Sequence, residues 1–193
     1  MAMYKTGEVP RKGYPKPSSV QWLHAERLCK AGHRPQFVVD GVASADCIQG
    51  TLGDCWLISA MSVLATRDEL LIGGRRGMDL DPDMIVGKEI ATLLSNGVYP
   101  PIFHRFRAIG LYVIRLFKDF QWIYVIIDDR VPVSAKTGLP VFGRCVAAHE
   151  IWVPMIEKAV AKMHGCYANL VAGSVDVGIR GLSGTSPDTT LIQ

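Results

Sequence analysis

Cys55 and Gln49 are the residues whose types and spacing could do covalent chemistry. They stand in the string Gln49-Gly50-Thr51-Leu52-Gly53-Asp54-Cys55-Trp56, which leads into residues 57–66, a stretch without charge. Gly53 is a turn residue and Asp54 an N-cap candidate, and Trp56, Leu57, Ala60, Met61 and Leu64 recur at the spacing of one helix face. That puts Cys55 in the first turn of a buried helix. Unpaired backbone N–H groups and the positive end of the helix dipole there favour a thiolate, the nucleophilic form of cysteine. Gln49 lies six residues upstream across two glycines, which let the backbone turn tightly. Its amide N–H can then reach the place where negative oxygen develops as a thiolate attacks a carbonyl. The backbone N–H of Cys55 would be the second donor. A cysteine on an apolar helix can also be simply a small core residue; the glutamine and the glycines favour the chemical reading.

The string 49–56 resembles the active-site signature of the calpains, intracellular calcium-dependent cysteine endopeptidases of papain-like architecture. The papain-type signature also ends in a glycine, one residue, the nucleophilic cysteine and an aromatic, as Gly53-Asp54-Cys55-Trp56 does. Other stretches agree in order. Trp22 and Pro35-Gln36-Phe37-Val38-Val39-Asp40-Gly41 look like the opening of the calpain core. Arg115-Leu116-Phe117 and Ile127-Asp128-Asp129-Arg130-Val131-Pro132 look like its central hairpin. Glu150-Ile151-Trp152-Val153-Pro154, Glu157-Lys158-Ala159-Val160-Ala161-Lys162 and Gly165-Cys166-Tyr167 look like its last large helix. The resemblance covers most of residues 22–184.

What the resemblance implies is an α+β, papain-like protease core, represented by its mostly helical first half with a small antiparallel hairpin and with the second half absent. Cys55 would be the nucleophile and Gln49 the oxyanion donor. In calpains a calcium ion is held at the positions matching Asp46, Glu150 and the carbonyls of Val39 and Gly41, and carboxylates with carbonyls are the hard oxygen ligands that calcium prefers. Taken alone, Asp46 reads as a turn or cap carboxylate. The two acids are far apart in sequence, so the metal would tie the loop before the Cys55 helix to the loop before the Trp152 helix. It would align Gln49 and Cys55 rather than touch substrate. Two departures stand out: residues 72–108 are longer than the matching stretch of familiar calpains, and Ser44 replaces an arginine that bridges to the second subdomain.

Composition bounds the alternatives. The chain has 193 residues, 49% of them hydrophobic and 20% charged, enough for one domain with a sizeable core. A net charge of +3 is too small to argue for nucleic acid, and the short basic clusters lack interleaved aromatics. No apolar run approaches membrane-spanning length, and the first residues lack the apolar centre of a secretory signal. The expected location is the cytoplasm. Five cysteines, odd in number and without zinc-ligand spacing, speak against a disulfide framework or a zinc site and suit a reduced Cys55.

The elements that must position the site follow in order. Residues 1–19, rich in Pro, Gly and Lys, are expected as a flexible tail, residues 20–184 as the cysteine-bearing subdomain and residues 185–193 as an unmatched tail. Residues 20–30 could form a short helix. Asp81-Pro82 through Asn96-Gly97 reads as another, inside the long 72–108 region. Residues 111–117 and 122–128 make a hairpin, and Asp128, Asp129 and Arg130 an internal salt bridge at a turn. Ile151, Trp152, Met155, Ile156, Ala159, Val160 and Met163 trace one helix face, with Glu157 and Lys158 beside it and His164 as a cation at its end.

A cysteine endopeptidase also needs a histidine base and a group to orient it. In calpains both His and Asn lie in a second subdomain, and none of the five histidines here matches that motif. The first expectation is therefore a calcium-dependent cysteine endopeptidase fragment acting on protein or peptide, weak or inactive alone. A second subdomain or partner chain would supply His and Asn. The rival is a non-catalytic calcium-binding or interaction module derived from a calpain. Transglutaminase-like acyl transfer also uses a cysteine at a helix start, but it does not account for the hairpin and last helix.

Overall fold

Alternation along residues 20–22 puts Val20 and Trp22 on one face, and the computed structural model, which describes residues 15–30, 32–73 and 96–185, shows both packed on the core. The helix expected over residues 20–30 is instead strand β1 (Val20–His24) followed by a 3-10 turn (Ala25–Leu28). A two-residue period cannot lie on one helix face, and the strand is completed by pairing. β1 runs antiparallel to β5 (Arg130–Ser134), with Trp22 opposite Pro132 and Leu23 opposite Val131.

The expected hairpin is present. β3 (Leu111–Lys118) pairs with β4 (Gln121–Asp128) in a register that sets Leu111 opposite Asp128 and Lys118 opposite Gln121. Two residues close it, Asp119 and Phe120, with φ of 51° and 62°. Paired left-handed residues match the twist of the flanking strands, which is why the strands stay in register without glycine. A third short pairing joins β2 (Cys47–Ile48) to β6 (Arg144–Cys145).

Four helices complete the α+β arrangement: α1 (Cys55–Leu64), α2 (Asp68–Leu71), α3 (Trp152–Met163) and α4 (Val175–Ser183). Among the described residues α- and 3-10 helices together outnumber strands, and the sheets are three two-stranded antiparallel pairs. The helix expected before Asn96 and Gly97 lies outside the described residues, as do residues 1–14 and 186–193 of the two expected tails. His104 and its basic aromatic neighbours form a 3-10 helix (Pro101–Ile109).

α1 buries Trp56, Leu57, Ile58, Ala60, Met61 and Leu64, six side chains worth about 1.5–3 kcal/mol each for the large ones. α4 approaches it closely at Gly178, where a Cβ would stand 2.7 Å from that of Ala60. α3 is central: every residue from Trp152 to Ala161 is buried. Glu157 and Lys158, beside the apolar face, are therefore interior as well.

A buried ammonium must be paired. Lys158 Nζ donates to the carbonyls of Asp128 (2.9 Å) and Arg130 (2.7 Å) and to the Asp128 carboxylate. Arg130 bonds the same carboxylate at 2.7 Å, the salt bridge expected at this turn, while Asp129 instead pairs with His24 Nδ1 at 2.7 Å. Burial opposes ionisation of Asp128, but the bonds from Lys158 and Arg130 outweigh it and hold the carboxyl well below its usual range. Lys158→Met keeps the apolar stem and strands these acceptors; equilibrium unfolding in urea should show a loss of about 2–4 kcal/mol.

Candidate active site

Residues 49–56 are fixed from two sides. On one side Thr51 N and Oγ1 both donate to the Val141 carbonyl, at 2.9 and 2.8 Å. Gly50 lies so close to Phe142 that a Cβ would stand 2.3 Å from its carbonyl oxygen. On the other side Ala172 N donates to the Gly53 carbonyl at 3.2 Å, and Trp56 Nε1 to the Leu170 carbonyl at 2.7 Å. The loop is thus pinned between residues 141–142 and 170–172, and α1 starts where it ends.

Cys55 is the first residue of α1 and its side chain is exposed. As the first helical residue it has no intrahelical partner for its N–H. Gln49 Nε2 donates one hydrogen to the Leu52 carbonyl at 2.8 Å, which fixes the amide within the loop. An NH₂ group carries a second hydrogen, and that one remains to be given. Burial pushes Cys47 up to about 11, raises Cys145 and, with Glu26 beside it, raises Cys29. All five cysteines are free.

Asp54 occupies the N-cap position, yet its side chain makes no cap hydrogen bond. Its carbonyl instead accepts from Leu57 N (2.8 Å) and Ile58 N (3.2 Å), while its carboxyl turns inward and is fully buried against Glu157 of α3. Glu157 Oε2 accepts from Gly143 N at 2.9 Å. Sequence reasoning missed this partner because Glu157 sits between apolar residues at a spacing that looked like a helix flank.

Val39, Gly41, Asp46 and Glu150 also come into one region. The segment through Gln36 runs beside Glu150 and Ile151, and Val39 N donates to Glu150 Oε1 at 3.0 Å. Asp40 and Gly41 have positive φ of 56° and 97°, which bends the loop back on itself. Asp46 Oδ2 accepts from Ala43 N at 2.8 Å, and Val146 N donates to the Asp46 carbonyl at 3.1 Å. Burial, with Asp46 and Asp40 close by, pushes Glu150 up to about 7 despite the Val39 bond. Among the described residues no group of three or more His, Cys, Asp or Glu side chains is gathered to hold a metal. Two carboxylates with backbone carbonyls are the donor set this region can offer, and oxygen donors of that kind fit calcium.

The histidines are engaged elsewhere. His24 bonds Asp129, His33 and His149 lie with ring centroids 4.8 Å apart, and His104 stacks on Tyr99 and bonds its carbonyl at 3.1 Å. His164 ends α3, but burial and then Lys118 push its imidazole down, which removes the helix-terminal cation expected there.

Comparison with known sequences bears on the family of the chain. The sequence pattern of the family described as "Calpain family cysteine protease" matches residues 3–75 and 88–192, and the chain belongs to that family. The match passes over residues 76–87, within the long 72–108 region, and extends into both stretches expected as tails. The chain is 33% identical over 172 residues to calpain-8 of Homo sapiens, 30% over 169 residues to the calpain-2 catalytic subunit of Rattus norvegicus and 32% over 169 residues to the calpain-1 catalytic subunit of Homo sapiens. These matches take in 88–89% of this chain and 20% of each relative, so the chain spans about a fifth of their length.

Because Gly50 has no room for a Cβ, Gly50→Ala must push the loop away from Phe142. Chemical denaturation should show a loss of about 1–3 kcal/mol.

Proposed function

We propose that the chain is the cysteine-bearing part of a papain-like, calpain-type thiol protease, with Cys55 as nucleophile and Gln49 as oxyanion donor. The observation that carries the reading is an exposed thiol on the first residue of α1, beside a loop pinned on both sides and carrying the Gln49 amide. The Cys55 sulfur attacks a peptide carbonyl, and the oxygen that becomes negative receives the second Gln49 N–H and the Cys55 N–H. The leaving amine takes a proton from the histidine that had received the thiol's, and water then releases the acyl group from sulfur. That histidine and its asparagine partner belong to a second subdomain, in the same polypeptide or in a partner chain; the substrate is protein or peptide.

Asp46 and Glu150, with the carbonyls of Val39 and Gly41, would hold a calcium ion, whose charge relieves the repulsion among Asp40, Asp46 and Glu150. Glu150 stands just before α3, and the segment through Asp46 leads into β2 and the Gln49 loop, so these residues link the two parts of the core that frame Cys55. The working location is inside the cell, where five free thiols stay reduced. No helix among the described residues is long and apolar enough to cross a membrane.

Cleavage of an unfolded protein substrate tests the reading. The chain alone should cleave little or not at all; mixed with a calpain-type subdomain bearing His and Asn it should cleave when calcium is added, and Cys55→Ser should abolish this. Cleavage that survives Cys55→Ser would refute the nucleophile assignment. Calcium binding by titration calorimetry without cleavage in any combination would instead favour a non-catalytic calcium module.

A further inference from the structure

Two buried carboxyl groups, one on the residue before the nucleophile and the other facing that group from α3, are not used by the protease chemistry. Asp54 is 0% exposed and Glu157 1%. They come from places far apart in sequence, the N-cap of α1 and the middle of α3. Among the described residues neither Asp54 oxygen has a donor, and neither does Glu157 Oε1; Glu157 Oε2 takes the Gly143 N–H at 2.9 Å. Two ionised carboxylates can only accept, and two negative charges this close and this dry cannot both persist. One hydrogen on Glu157 Oε1, given to Asp54, meets the need of both groups.

We propose that Asp54 and Glu157 share a single proton, and that this carboxyl–carboxylate bond makes Glu157 a positioning residue for Cys55. The bond joins α3 to the one residue whose carbonyl accepts the first two N–H bonds of α1, from Leu57 and Ile58. Cys55 is the residue between that anchor and those amides. Because Glu157 Oε2 also holds the Gly143 amide, the same side chain ties the loop through residues 141–143, against which Gly50 and Thr51 rest, to the start of α1. The positioning role rests on the protease reading above; the shared proton does not.

The groups facing the pair support the assignment. Burial raises both carboxyls, and each is further affected by the other. The Tyr167 hydroxyl, from the segment after α3, is also pushed up, by burial and then by Glu157 and Asp54, so it stays neutral. Lys158, the next residue on α3, directs its ammonium to Asp128 and the Arg130 carbonyl, not to Glu157.

The sign of the pH effect follows from the raised carboxyls. A proton kept in the folded chain and lost in the unfolded one stabilises fully below the unfolded carboxylate range, and the benefit is lost as pH rises toward the folded value. The test compares the intact chain with Asp54→Asn/Glu157→Gln, which keeps shape and hydrogen bonding but holds no titratable proton. Between pH 5.5 and 7 the folding equilibrium constant of the parent chain should fall about tenfold per pH unit relative to the double variant, one proton's worth. Equal pH slopes would overturn the shared proton.

Positioning is read separately, by hydrogen exchange at the Leu57 and Ile58 amides. Glu157→Gln, whose amide supplies the donor permanently, should retain their protection, and Glu157→Leu should lose at least tenfold. Loss of protection in Glu157→Gln would overturn the positioning role even if Glu157→Leu does not fold. Neither readout depends on proteolysis, so a chain in which Cys55 proved inert would leave both results standing and fail only the protease reading.

Discussion

The start of helix α1 has to be held still for anything else here to work. A nucleophile in the first turn of a helix is only as well placed as the loop that leads into it, and such loops have few intrahelical bonds to hold them. Here the loop is fastened to residues 141–142 through Thr51 and the close approach of Gly50, and to residues 170–172 through Gly53 and Trp56. Beneath it Asp54 reaches α3. The result is a polar, exposed first residue on a helix whose other contacts are almost all apolar.

The rest of the fold can be read as what immobilises those fasteners. α3 is buried from Trp152 to Ala161 and carries two ionisable groups into the interior, each with its own solution. Lys158 binds the β4–β5 junction, which fixes β5 and through it β1. Glu157 binds the Gly143 amide and faces Asp54. Adjacent residues on one helix thus tie the strand side of the core and the helix side to a common support. Polar groups so deeply buried are costly unless fully paired, and their presence marks where geometry matters more than apolar stabilisation.

Much of this was legible in the sequence. The chemical string 49–56, the α1 and α3 stripes and the β3–β4 hairpin were visible because each carries its own local period or turn signal. The Asp128–Arg130 pair was readable for the same reason, two residues apart at a strand end. What sequence could not give was set by distant partners. Val20 and Trp22 became strand because β5 pairs with them, the short β2–β6 bridge needs two segments about a hundred residues apart, and Glu157 showed no partner until Asp54 and Gly143 were beside it. His164 failed as a cation for a similar reason, since burial and then Lys118 of the hairpin lower its imidazole.

The claim that the exposed first residue of α1 is the reactive one is tested most directly by site-resolved alkylation of the native chain with iodoacetamide, followed by peptide mass spectrometry. Cys55 should be modified first, on the order of a hundredfold faster than buried Cys145 and Cys166, because buried thiols are not accessible to the reagent. Modification of Cys55 no faster than Cys145 would contradict an exposed, chemically poised thiol at that helix start.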